Sequence, residues 1–197
     1  WPNAQPIVRN REGRTLALGH NGNLTNTEEL RAELVARGVR LETTSDTEVI
    51  AALICEHEGA LEDAVRAAVA RIDGAFSAIV LDGDGTMIGF RDPDGIRPLV
   101  LGDLDGHPVL ASETCALDIV GATAVRELEP GEMAICTADG VRLEQAVPKR
   151  QSGADRKAAR TPRSRARCAS SIRKSRAAAS WPTSMCPGSA TISSANA

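Results

Sequence analysis

Near Val147-Pro148-Lys149 the sequence changes character, and this limits what can fold to the part before it. Residues 1–148 carry 12 arginines, no lysine and 25 acidic residues, a net of −13, whereas residues 149–197 carry 11 basic residues and the single acid Asp155, a net of +10. The second part is rich in Ala, Ser, Arg, Pro and Thr and has no apolar periodicity. Such a composition buries too little apolar surface to offset the entropy of ordering, so it is expected to be disordered. The organisation read from the sequence is a folded domain over 1–147 and a basic tail over 148–197. Clustered arginine in the tail can neutralise phosphate, which suits a nucleic-acid arm. An aberrant end of the reading frame explains the abruptness of the change better, and nucleic acid is not expected as a partner.

With two Phe, two Trp and no Tyr, the core must be built from Leu, Ile, Val and Ala. Helical spacing appears from Asn26 to Arg37, where Leu30 and Leu34 share a face, Asn26 can cap and Gly38 stops the run. Ser45 caps a second helix with Val49, Ile50, Leu53 and Ile54 inward. A third, Leu61 to Ile72, carries Leu61, Val65, Ala68, Val69 and Ile72 on one stripe and ends at Gly74. The period then changes. Phe76–Leu81 and Met87–Phe90 flank Asp82-Gly83-Asp84-Gly85, and Leu99–Leu101 and Val109–Ala111 flank Asp105-Gly106, both hairpin signals. A short helix over Glu113–Val120 and strands at Val125–Glu127 and Met133–Ile135 complete an order that fits stacked antiparallel sheets with helices outside.

No run of 18 apolar residues occurs, and no basic start leads into an apolar stretch, so neither a membrane span nor a signal peptide is read. The five cysteines, Cys55, Cys115, Cys136, Cys168 and Cys186, are odd in number and form no C-x-x-C pair. They point to reduced thiols in a cytoplasmic protein, with Cys55 and Cys136 buried and inert.

Two short runs carry the chemistry. Thr15–Leu18 alternates into Gly19-His20-Asn21-Gly22-Asn23-Leu24, read as a strand delivering Asn21 into an Asn-Gly turn, and a helix later comes Thr44-Ser45-Asp46-Thr47-Glu48. Each pairs exposed backbone N–H groups with a short polar side chain able to hold a small charged ligand. Alone, either has a plainer explanation, because His-Asn-Gly-Asn is common turn composition and Ser45-x-x-Glu48 is a capping box. Arg91-Asp92-Pro93-Asp94-Gly95-Ile96-Arg97-Pro98 could clamp a substrate, but reads better as a loop stapled by its own ion pairs. His57 and His107 read as surface residues.

In this order, with Trp1-Pro2-Asn3-Ala4-Gln5-Pro6 before them and Gly95-Ile96-Arg97-Pro98-Leu99, Ala111-Ser112-Glu113-Thr114 and Arg126-Glu127-Leu128-Glu129-Pro130-Gly131-Glu132 after, the segments resemble the glutaminase domain of the amidophosphoribosyltransferase family over residues 1–147. The resemblance implies an α+β fold, the four-layer αββα sandwich of N-terminal-nucleophile hydrolases. It implies that the Asn21 amide and the Gly22 N–H form an oxyanion hole, that Asp46 binds the α-ammonium of glutamine, and that His20 is a positioning residue. The family's nucleophile is an N-terminal cysteine whose own amino group serves as base, followed by a His-x-Arg-Tyr-Ser-Thr stretch. Neither precedes Asn3 here, so the fold is expected to be incomplete and this chain inactive alone.

The reaction so implied hydrolyses glutamine and passes ammonia to phosphoribosyl pyrophosphate, giving 5-phosphoribosylamine for purine synthesis in a homo-oligomeric cytoplasmic enzyme. No cofactor is implied in this segment; Mg2+ acts with phosphoribosyl pyrophosphate in another domain, and some members carry an iron–sulfur cluster. A glucosamine-6-phosphate synthase-type amidotransferase shares the His-Asn-Gly and Asp-Thr-Glu elements, although Gly-Ile-Arg-Pro-Leu and Glu-Pro-Gly-Glu argue against it. A non-catalytic binding protein with a basic tail is the remaining alternative.

Overall fold

In a computed structural model of the chain, residues 3–11 and 13–150 are described. The basic tail expected over 148–197 therefore lies almost wholly outside the described residues, as do Cys168 and Cys186.

Six strands form one antiparallel sheet: β1 (Ile7–Arg11), β2 (Arg14–Leu24), β3 (Gly74–Asp82), β4 (Met87–Arg91), β8 (Glu132–Thr137) and β9 (Gly140–Gln145), in the order β1-β2-β3-β4-β8-β9. A smaller antiparallel sheet has β5 (Val100–Leu104) between β6 (His107–Ala111) and β7 (Thr123–Glu127). Three helices, α1 (Thr27–Ala36), α2 (Asp46–Cys55) and α3 (Leu61–Val69), cover one face of the large sheet, and α4 (Thr114–Val120) lies on the small one.

The layers follow from strand alternation. Leu16, Leu18, Phe76, Ala78, Val80, Ile88 and Phe90 pack with Leu30, Leu34, Ile50, Ile54, Val65 and Val69 of the helices. The chain's only two phenylalanines meet there edge to face, ring centres 6.3 Å apart. From the opposite face, Ile79 and Ala134 meet Leu99, Leu101, Leu110 and Leu128. At Gly89 a Cβ would stand 2.7 Å from a methyl of Leu110, so the sheets close on a position where any side chain would make Leu110 shift. Leu117 of α4 completes the outer layer against Val100 and Ala122. This is a four-layer αββα sandwich.

Several local expectations change. The third helix stops at Val69, and Gly74 opens β3 rather than closing that helix. Asn26 occupies the N-cap position of α1 without a side-chain cap; its amide donates to Arg71 O (2.9 Å) and its carbonyl oxygen accepts from Asp73 N (3.0 Å), tying α1 to the turn before β3. Ser45 does cap α2, accepting from Thr47 N at 3.2 Å. Glu48, however, does not close a capping box: its carboxylate takes the N–H groups of Glu42 (2.8 Å) and Thr43 (2.7 Å). Helix α2 is buried from Thr47 to Cys55, all round rather than on one stripe. Strands β1 and β9, short edges of mixed polarity, were not read from the sequence. Among the described residues no helix is long and apolar enough to cross a membrane.

Candidate functional site

The run Gly19–Leu24 is not a turn. Strand β2 passes through it unbroken, paired with β3 from Leu16 opposite Asp82 to Leu24 opposite Gly74. Gly22 has φ +145°, and a Cβ on it would fall 2.0 Å from Ala75 O; Gly74, also at +145°, would meet Asn23 O at 2.3 Å. Two glycines thus let the paired backbones of β2 and β3 approach too closely for any side chain. The demand for glycine at 22 comes from this close approach, not from a reversal of the chain.

Alternation along β2 divides the candidate residues. Leu16, Leu18 and Leu24 point to the helices, and His20 shares their face with its side chain only 1% exposed. Asn21 falls on the other face and is exposed. Asp46, the first residue of α2, reaches across to β2, where Oδ2 accepts from Leu24 N at 3.1 Å and Oδ1 lies 3.5 Å from His20 Nδ1. The Asp46 side chain remains 19% exposed. It therefore neither hangs in solvent nor merely caps its own helix, and the positive N-terminal end of α2 favours its charge.

The fold adds two residues to which the sequence assigned no chemistry. Asn3 exchanges two hydrogen bonds with Thr44, donating to Oγ1 (3.0 Å) and accepting from the backbone N (3.3 Å). Gln5 accepts the backbone N–H of His20 through Oε1 at 2.5 Å. The β1–β2 ladder begins at Ile7 opposite Leu18, so the Gln5 side chain supplies an acceptor where the strand has run out. The only sequence signal was a pair of amide residues beside a proline. Structure thus brings Asn3, Gln5, His20 and Asp46 together around one end of β2. Gly22 lies on that strand between His20 and Leu24, and the Asn21 amide is directed to the opposite face.

Burial depresses the His20 pKa below the ordinary imidazole value; attraction to Asp46 offsets this in part, and the charge of Arg97 adds to the depression. For Glu48, burial acts to raise the pKa but is outweighed by hydrogen bonds from Glu42 and Thr43 and by Arg9, leaving a stronger acid than usual. Burial raises the Cys55 thiol and pushes Cys136 up to about 11, so both are weak nucleophiles. Cys115 is exposed.

The Arg91–Pro98 loop is structural, but side-chain-to-backbone bonds hold it rather than internal ion pairs. Fully buried Asp92 accepts from the N–H groups of Phe76, Asp94, Ile96 and Arg97 at 3.0–3.3 Å. Arg91 donates to the carbonyls of Gly95, Arg97 and Leu128 and pairs with Glu127. A cavity of about 390 Å³ lies at the other end of α2, lined by Arg11, Arg14, Cys55 and His57. Its arginines are already engaged, Arg14 by the carbonyls of His57 and Gly59 and Arg11 by Glu56. His57 is half-buried rather than a surface residue, whereas His107 is exposed. Among the described residues no three His, Cys, Asp or Glu side chains cluster as a metal site.

A glutamine amidotransferase domain model matches residues 2–118. The class that fold and sequence define is therefore the glutamine amidotransferase, and this chain belongs to that family. Within it, the chain is 45% identical over 150 residues to the amidophosphoribosyltransferase of Mycobacterium leprae, covering 72% of this chain and 27% of that protein. It is 47% identical over 146 residues to the one from Synechococcus elongatus, covering 71% and 29%. The solved glutamine phosphoribosylpyrophosphate amidotransferase from Bacillus subtilis, complexed with ADP and GMP, superposes with a TM-score of 0.69 at 40% identity, over 74% of this chain and 32% of that one. The chain thus spans under a third of the length of these relatives, and the sandwich is their N-terminal-nucleophile hydrolase fold.

Proposed function

We propose that residues 1–147 are the glutaminase portion of an amidophosphoribosyltransferase, which hydrolyses glutamine and delivers ammonia to phosphoribosyl pyrophosphate to form 5-phosphoribosylamine. The observation that carries this reading is the Asp46 carboxylate, tied to β2 at Leu24 N and His20 while still partly open to solvent. A carboxylate so held can accept a charge-assisted hydrogen bond from the α-ammonium of glutamine. The Gly22 N–H and, from the other face of β2, the Asn21 amide are the proposed donors for the negative charge that grows on the carboxamide oxygen during attack. Losing one such donor typically costs about 3–4 kcal/mol of barrier. Cys55 and Cys136 are buried and held protonated and Cys115 lies on α4 of the outer layer, so the thiol nucleophile would come from outside the described residues. Phosphoribosyl pyrophosphate and its Mg2+, a homo-oligomeric assembly and a cytoplasmic setting belong to the same proposal.

The test is titration of the 15N-labelled chain with L-glutamine. Backbone signals of Asn21, Gly22 and Leu24 are expected to shift together, and Asp46→Asn to weaken binding at least about tenfold, or 1.4 kcal/mol. Shifts confined to the Arg11–His57 cavity, or binding indifferent to Asp46→Asn, would defeat the reading.

A further inference from the structure

We infer that His20 is a positioning residue which stays neutral, carries its proton on Nδ1 and fixes the plane of the Asp46 carboxylate for the substrate ammonium. This inference rests on the reading of Asp46 as the ammonium ligand. One hydrogen bond, from Leu24 N to Oδ2, leaves a carboxylate free to rotate; a second partner at Oδ1 removes that freedom. His20 is that partner.

The proton's place follows from what surrounds the ring. On the Nδ1 side stand Asp46 Oδ1 at 3.5 Å and Thr47 Oγ1 at 3.4 Å. An ionised carboxylate only accepts, so a hydrogen bond to Asp46 needs the proton on Nδ1, whereas the Thr47 hydroxyl fits either form. On the other side Nε2 is buried and has no partner among the described residues. A proton on Nε2 would leave a buried N–H without an acceptor and set the Nδ1 lone pair against a carboxylate, keeping only the Thr47 hydroxyl as a donor to Nδ1. A doubly protonated ring would bury a cationic N–H in the same place. The charged groups acting on the ring are Asp46 from α2, which favours that cation, and Arg97 from the loop after β4, which opposes it with burial. Geometry on both sides of the ring therefore selects one neutral tautomer. Gln5 completes the chain of control, because it fixes the His20 backbone through its N–H.

The inference extends to the order of contacts, Gln5 to His20 to Asp46, and makes the imidazole a part that touches no reacting atom. Its removal should disturb the carboxylate and not the fold. The test uses the full chain labelled with 15N-histidine, whose three histidines resolve in long-range proton–nitrogen spectra. The His20 signal, assigned by its loss in His20→Asn, is expected to show the neutral Nδ1–H form at pH 7. It should stay in that form at about pH 5.5, where an ordinary imidazole is charged. Asp46→Asn should move the His20 ring nitrogens. The Leu24 amide should exchange with solvent about tenfold faster in His20→Leu and recover in His20→Asn, whose side-chain amide can donate from near the Nδ1 position. An Nε2–H tautomer in the wild-type chain overturns the inference, and that measurement needs no variant to fold. A Leu24 amide unmoved in a folded His20→Leu also overturns it. L-glutamine is added last. If the ring signature holds but glutamine shifts no signal at Asn21, Gly22 or Leu24, the function assigned to Asp46 fails while its coupling to His20 stands.

Discussion

Two runs of polar residues in this chain look alike in sequence and differ in what the fold does with them. At Arg91–Pro98, charge is sealed: Asp92 has four backbone N–H partners, and Arg91 reaches three carbonyls and Glu127. Around β2 and the start of α2, charge is held but left reachable: Asp46 keeps about a fifth of its side chain in contact with solvent, and Asn21 is exposed. A carboxylate whose lone pairs are all taken by backbone is a strut. One fixed by two partners, with lone pairs to spare and an opening to solvent, can still take a ligand. Hydrogen-bond accounting separates the two where composition does not.

The largest effect that would break this contrast belongs to the sealed loop. Asp92→Ala leaves the buried Phe76 N–H and the part-buried N–H groups of Asp94, Ile96 and Arg97 without their carboxylate acceptor, and unfolding in urea should show a loss of about 3–5 kcal/mol. A loss under 1 kcal/mol would mean that the loop does not depend on its carboxylate. Next comes Gly22→Ala, which places a methyl group into the Ala75 backbone at a φ that alanine avoids. It should cost about 3 kcal/mol in the same measurement.

A third test concerns Glu48, buried at 4% exposure and holding the loop that leads to Asp46. Its folded pKa lies below the ordinary value of 4.5, so its contribution is present above that pH and fades as pH falls through the lower folded value. Glu48→Gln should therefore destabilise the chain by about 1.5–3 kcal/mol at pH 7, and the gap between variant and wild type should close in acid. A gap independent of pH would assign the loss to packing instead. On the open side of the comparison, Asp46→Asn should cost only about 1 kcal/mol of stability. The smallest change is Asn21→Ala, within about 0.5 kcal/mol of wild type because the residue is exposed. Both should nonetheless weaken the response to L-glutamine, and a substitution with the opposite profile would move its residue to the structural side.

How much of this was legible follows from where each residue's partners lie. Ser45 was read as a cap because its acceptor role is played out two residues away, at Thr47 N. The Asp82–Gly85 and Asp105-Gly106 hairpins were read because a tight turn and its flanking strands are adjacent in sequence. Gly22 was read as part of an Asn-Gly turn that does not exist; the backbone that its missing Cβ clears belongs to Ala75 and Phe76, more than 50 positions on. Asn26 and Glu48 failed for the same reason: each had a plausible local partner and found another, at Arg71 and Asp73 or in the loop before α2.

The sequence by itself determined the positions of the helices and hairpins and the residue types on offer at the candidate site. Those properties depend on composition and on spacing over a few residues, which the chain carries wherever it goes. Only the tertiary structure decided which polar groups remain usable. Asp92 is sealed and Asp46 is not because of distant backbone: the segment that ends at Arg97 folds back over one, and β2 offers the other only Leu24 N and His20. Whether a charge is a strut or a ligand is set by the number of partners that reach it, and those partners meet it only when the sheet and helices have packed.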